Sequence, residues 1–131
     1  MNWPVEIIPD HDKLYCRVHK TYIKPLGIEP SAFANRPTGS NSMSVDWAKY
    51  ATPDETRRRA KKPIENAVVQ FETGRVRTIP TLSVEHSPDQ ERANRAHSDV
   101  IGDKNAEVRI QLSRIFELVI PLEQELERNQ A

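Results

Sequence analysis

The chain has one cysteine, four glycines, two tryptophans, three tyrosines and three phenylalanines in 131 residues, and it has no net charge, with nineteen basic and nineteen acidic side chains. Each shortage excludes something. The single Cys16 cannot form an intrachain disulfide and suits a reducing compartment. Zero net charge removes the long-range field that drives nonspecific nucleic-acid binding. No apolar run approaches membrane-spanning length, so no association with a membrane is expected. The opening Asn2-Trp3-Pro4-Val5-Glu6 lacks a basic region followed by an apolar run. No signal peptide is expected from it, and the location is read as cytoplasmic. With so few aromatics, no interleaved basic and aromatic stripe for base stacking appears.

Proline is plentiful instead, at ten residues, and points to rigid connections and short elements. Hydrophobic residues make up 37% and charged residues 29%, so the core must be modest and the surface well solvated. The length fits one domain, read as residues 1–120, followed by a charged tail over 121–131 with helical character.

Several elements are legible locally. From Lys13 to Ile23 the chain alternates: Leu14, Cys16, Val18 and Tyr22 fall on one side, Tyr15, Arg17, His19 and Thr21 on the other. Period two with aromatic and β-branched content predicts a strand with a polar second face. Pro25 to Asn41 reads as a long loop. Met43 to Trp47, Ala67 to Phe71 and Leu82 to His86 read as short strands. Thr52-Pro53-Asp54-Glu55 is a capping box with proline at the first helical position, and predicts a helix from Pro53 to Lys62, ended by Pro63. The segment Thr73 to Ile79 suits a strand or a helical turn, and its poor patterning favours the turn. Val108, Leu112, Ile115, Phe116 and Val119 share a helical stripe, which predicts one long C-terminal helix from Ala106 to Val119.

Together these predict an α+β fold: a small, mostly antiparallel sheet packed against that long helix and the shorter one.

The densest polar chemistry lies between Leu82 and Gly102. His97 and Asp99 fall on one side if the segment is extended, and a carboxylate can orient an imidazole for proton transfer. His86 and Arg17 are the further catalytic candidates, Arg17 as an anion grip on the polar face of the first strand. Asn94, Arg95, Ser83 and Ser44 are candidate binding residues. The same types also serve as turn formers and backbone clamps. His86, His97 and Asp99 match no short metal-ligand spacing, so no metal is expected. The basic run Arg57-Arg58-Arg59-Ala60-Lys61-Lys62 follows Asp54 and Glu55 by one turn and reads as a solvated helix end. No cofactor is indicated.

The segments Met43 to Tyr50 and Asn94 to Gly102 resemble parts of small uncharacterised bacterial proteins, which implies a prokaryotic source and no particular activity. The order of Arg17 on an early strand, Ser44 on a second strand and a later acid resembles ADP-ribosyltransferase-like, NAD-consuming folds. That resemblance implies a nucleotide-processing enzyme, with Glu85 or Glu107 as the third residue. The absence of a complete catalytic signature favours an accessory recognition module of a multi-component bacterial system. Its surface would be the loop Pro25 to Asn41 with Glu85 to Asp99, facing a protein partner. The rival expectation is a small enzyme acting on a nucleotide-like ligand.

Overall fold

The alternation that begins at Lys13 becomes β1 (Lys13–His19), and the computed structural model, which describes residues 2–122, builds a six-stranded sheet around it. After β1 the chain turns through Lys20–Tyr22 into a small hairpin, β2 (Ile23–Lys24) and β3 (Gly27–Ile28). The remaining loop leads to β4 (Ser42–Trp47). Then follow α1 (Pro53–Arg58), β5 (Asn66–Glu72), α2 (Thr73–Arg77), β6 (Ser83–His86), β7 (His97–Ile101), α3 (Ala106–Ser113) and β8 (Glu117–Ile120). The sheet runs β6-β7-β4-β1-β5-β8, and its neighbours pair antiparallel.

The sheet has two unlike faces. Leu14, Cys16 and Val18 of β1 join Met43, Val45 and Trp47 of β4 and Val69 and Phe71 of β5 in one buried apolar cluster. Val76, Val108 and Leu112 bring α2 and α3 onto that face. Phe33, from the long loop, is fully buried edge-on against Phe71. Successive side chains on a strand point to opposite faces, so Tyr15, Arg17, His19, Ser44, Asp46, His97 and Asp99 lie on the other side of the sheet.

The capping box forms as the local pattern predicts. Glu55 N–H donates to Thr52 Oγ1 at 3.1 Å, and Thr52 N–H donates to Glu55 Oε1 at 3.0 Å. The helix it starts ends at Arg58 rather than Lys62. The Thr73 segment takes the helical alternative.

The predicted fold class needs correction. Among the described residues there is no long C-terminal helix: α3 stops at Ser113, and Glu117–Ile120 form a strand. The stripe Val108, Leu112, Ile115, Phe116 is satisfied within α3 and the turn after it. Leu118-Val119-Ile120 is equally good strand sequence, and it pairs with the open edge of β5 through Val69–Leu118 and Val68–Ile120. A ladder on a waiting edge outweighs one more helical turn, because backbone groups at that edge otherwise lack partners. The described residues therefore form a sheet-rich domain with three short α-helices. Most of the charged tail expected over 121–131 lies outside the described residues. Among the described residues, no helix is long and apolar enough to cross a membrane.

Candidate functional site

β1 and β4 are paired only at Leu14–Trp47 and Tyr15–Asp46. Beyond that point they separate, and Arg17 of β1 has no partner on β4. β4 instead pairs fully with β7, which sets Ser44 opposite Asp99 and Asp46 opposite His97. The gap between the strands floors a basin of about 810 Å³ on the polar face. Its walls are the end of α1 with the residues just after it, the loop before β4, and the turn between β6 and β7.

Three anchors set these walls. Asp46 is buried and accepts from Thr56 Oγ1 at 2.8 Å and from Asn94 Nδ2 at 2.9 Å, which joins α1 and the β6–β7 turn to the sheet. The turn is closed by paired backbone bonds between Asp89 and Asn94, each 2.9 Å, with Ala93 in the left-handed region at φ 51. Arg17 Nη1 donates to the Thr56 carbonyl at 2.8 Å, so its guanidinium is held beneath α1.

The lining is strongly basic for a neutral chain. Arg17, Arg36, Arg59, Lys61 and Arg92 face carboxylates only at Asp46 and Asp89. Arg92 pairs with Asp89 at 3.5 Å, and Arg36 with Asp99 at 3.0 Å. Arg17, Arg59 and Lys61 have no carboxylate within ion-pair distance among the described residues. Tyr15 and Tyr22 add aromatic surface, and burial holds the Tyr15 phenol above its ordinary pKa. His19, also at the basin, bonds Glu65 at 3.1 Å and draws that carboxyl below its usual range.

At the β4–β7 end lies a connected polar network. His97 Nδ1 is 2.9 Å from the Ser87 carbonyl and 3.0 Å from Ser87 Oγ, while Nε2 is 3.2 Å from Ser44 Oγ. Ser87 Oγ donates to Asp99 Oδ2 at 2.7 Å. Arg36 Nη1 reaches both Asp99 Oδ1, at 3.0 Å, and Ser44 Oγ, at 2.6 Å. His97 and Asp99 are thus linked through Ser87 rather than to each other.

Of the residues singled out in the sequence, Arg17, Ser44, Asn94 and His97 meet at this basin, and Asp99 stands behind it. The others lie elsewhere. His86 is buried on the opposite face: Glu6 N–H donates to its Nδ1 at 3.0 Å, its Nε2 donates to the Arg95 carbonyl at 2.7 Å, and its ring meets Trp47 edge-on. It cannot share a substrate with His97. Arg95 stacks over the Tyr50 ring at 4.1 Å and lies 3.8 Å from Glu6. Ser83 and Glu85 are exposed on the edge strand β6, with Glu85 opposite Asp99, and Glu107 is exposed on α3. Neither acid lines the basin.

Sequence reasoning overlooks Arg36, Ser87, Asp46 and Thr56. Arg36 is legible only as a cation within a long loop. Arg59 and Lys61, read as a solvated helix end, are exposed and also line the basin. Arg57 of the same run is buried and donates to the Asn66 carbonyl at 3.1 Å, whereas Arg58 is exposed and pairs with Asp54 at 2.9 Å. Cys16 is buried in the core, where burial pushes its thiol up to about 12 and removes it as a nucleophile. No group of three or more His, Cys, Asp or Glu side chains among the described residues is placed to hold a metal. No family model, curated protein or solved structure matches the chain.

Proposed function

We propose that the basin recognises a phosphate-bearing, nucleotide-like ligand and that the domain acts as a ligand-recognition module. One observation carries this reading: Arg17, Arg59 and Lys61 line one hollow without an ion-pair partner among the described residues, in a chain of zero net charge, and basic side chains there outnumber the carboxylates Asp46 and Asp89. Unpaired cations in a concave site focus potential and attract anions. A guanidinium held by one nitrogen keeps its other donors for an incoming phosphate. The basin's volume lies within the range of small-ligand sites, and Tyr15 and Tyr22 supply flat surface for a base. A cytoplasmic setting, which the lone thiol suits, is also where nucleotides abound.

Titration calorimetry with ADP, adenosine and inorganic phosphate tests this. ADP binds, adenosine and phosphate bind more weakly, and Arg17→Ala combined with Arg59→Ala weakens ADP by roughly tenfold or more. Affinity falls as salt is raised. No ADP binding at low salt, or binding that the double variant leaves unchanged, removes the reading.

A further inference from the structure

We propose that Ser44 is a nucleophile activated by His97, making the β4–β7 end of the basin an esterase-type site. The tautomer of His97 decides the roles. The Ser87 carbonyl can only accept a hydrogen bond, so the imidazole nitrogen 2.9 Å from it, Nδ1, carries the hydrogen. In the neutral ring Nε2 then carries the lone pair, and it faces Ser44 Oγ at 3.2 Å as an acceptor for the hydroxyl hydrogen. Ser87 Oγ gives its own hydrogen to Asp99, which leaves a lone pair toward Nδ1 at 3.0 Å. A serine, a base within hydrogen-bond reach and a third group that orients the base are the parts an activated nucleophile needs.

Arg36 supplies the remaining part. Its Nη1 lies 2.6 Å from Ser44 Oγ and is held there by Asp99. A fixed cation beside Ser44 Oγ stabilises the partial negative charge that the oxygen carries as its proton leaves for His97. Both Ser44 and His97 open onto the basin, so a ligand bound there can reach them.

The step is acyl transfer from a carboxylic ester. Ser44 Oγ bonds to the acyl carbon, its proton passes to His97 Nε2, and the ester C–O bond breaks as that proton goes to the leaving alkoxide. Water then gives a proton to Nε2 and its oxygen bonds to the acyl carbon. The bond to Ser44 breaks, and the proton returns to Oγ. The preference for an ester carrying a phosphate rests on the anion-binding reading above; the Ser44–His97 pair does not.

An uncharged probe therefore tests the pair alone. The full chain is treated with an alkyl fluorophosphonate, which bonds to activated serines, and the modified peptide is located by mass spectrometry. Modification at Ser44 is expected, slowed roughly 100-fold in His97→Gln, with hydrolysis of p-nitrophenyl acetate lost in His97→Gln and in Ser44→Ala. Circular dichroism establishes that the variants are folded, and the wild-type measurement needs no variant. Failure of the fluorophosphonate to modify Ser44 in the wild-type chain overturns the proposal, as does equal modification in wild type and His97→Gln. ADP binding without Ser44 modification rejects the nucleophile while keeping the anion site; Ser44 modification without ADP binding does the reverse.

Discussion

Asn94 Nδ2 donates to Asp46 Oδ1 across 2.9 Å, and this bond ties the β6–β7 turn to the middle of the sheet. Both residues are buried. Asn94 Oδ1 also accepts from Ala96 N–H at 3.1 Å, so one side chain sets the entry into β7 and the wall of the basin. Asn94→Ala leaves Asp46 with one fewer donor in a buried place, at a cost of about 1–3 kcal/mol. Asn94→Asp sets two carboxylates together and costs more. Urea denaturation measures both; equal stability of the two variants would show that Asp46 is satisfied from elsewhere.

His86→Ala is expected to reduce stability by about 2–4 kcal/mol, because it opens a cavity beside Trp47 and orphans Glu6 N–H and the Arg95 carbonyl. ADP affinity of the folded variant stays unchanged, since the ring lies on the face away from the basin. Denaturation combined with calorimetry separates the two effects. A variant of normal stability that no longer binds ADP would return His86 to the site.

Lys104 is buried, and its Nζ donates to Asn35 Oδ1, the Val100 carbonyl and the Gly102 carbonyl at 2.6, 2.9 and 2.7 Å. Burial pushes its pKa down from 10.5 to about 8, against the pull of Asp103 and Asp99. The folded chain gives up this proton at lower pH than the unfolded chain, so between these values the unfolded state holds more protons and stability rises with pH. Relative to Lys104→Met, wild-type stability is therefore flat below about pH 8 and climbs toward 10.5. Denaturation of both proteins across that window reads the difference. A flat difference across that window would mean that the three acceptors keep the ammonium charged in the folded chain.

Gly102 has φ +136, and a Cβ there would stand 2.4 Å from the Thr81 carbonyl oxygen and 2.9 Å from Leu82 Cδ2. Gly27 has the same φ and open space around it. Gly102→Ala is expected to cost about 3 kcal/mol or more, from backbone strain plus displacement of the Thr81 backbone; Gly27→Ala carries only the strain, about 1 kcal/mol. Thermal melts of the two variants provide the comparison, and equal shifts would rule out the contact with Thr81.

The candidate site is partly legible in the sequence. The alternation around Arg17 and the position of Ser44 on a short strand suffice to set both on polar faces. His97 and Asp99 share one side on the condition that their segment is extended, and β7 meets that condition. His86 escapes the same reasoning because it belongs to a different strand. Val84 and His86 turn toward the apolar face on β6, while His97 and Asp99 turn away from it on β7. Nothing in the spacing between two histidines ten residues apart reveals which way each strand faces.

Neighbouring residues alone decided the alternation of β1 and the capping box at Thr52 and Glu55. Each depends on contacts within a few residues, so the pattern carries its own explanation. Tertiary structure decided the rest. Leu118-Val119-Ile120 became a strand because the edge of β5 lay open, and the basin exists because β1 and β4 part after Tyr15 and Asp46. Arg36 reached Ser44 and Asp99 from a loop, 8 and 63 residues away along the chain. Such pairings depend on which surfaces meet, and no local propensity records that.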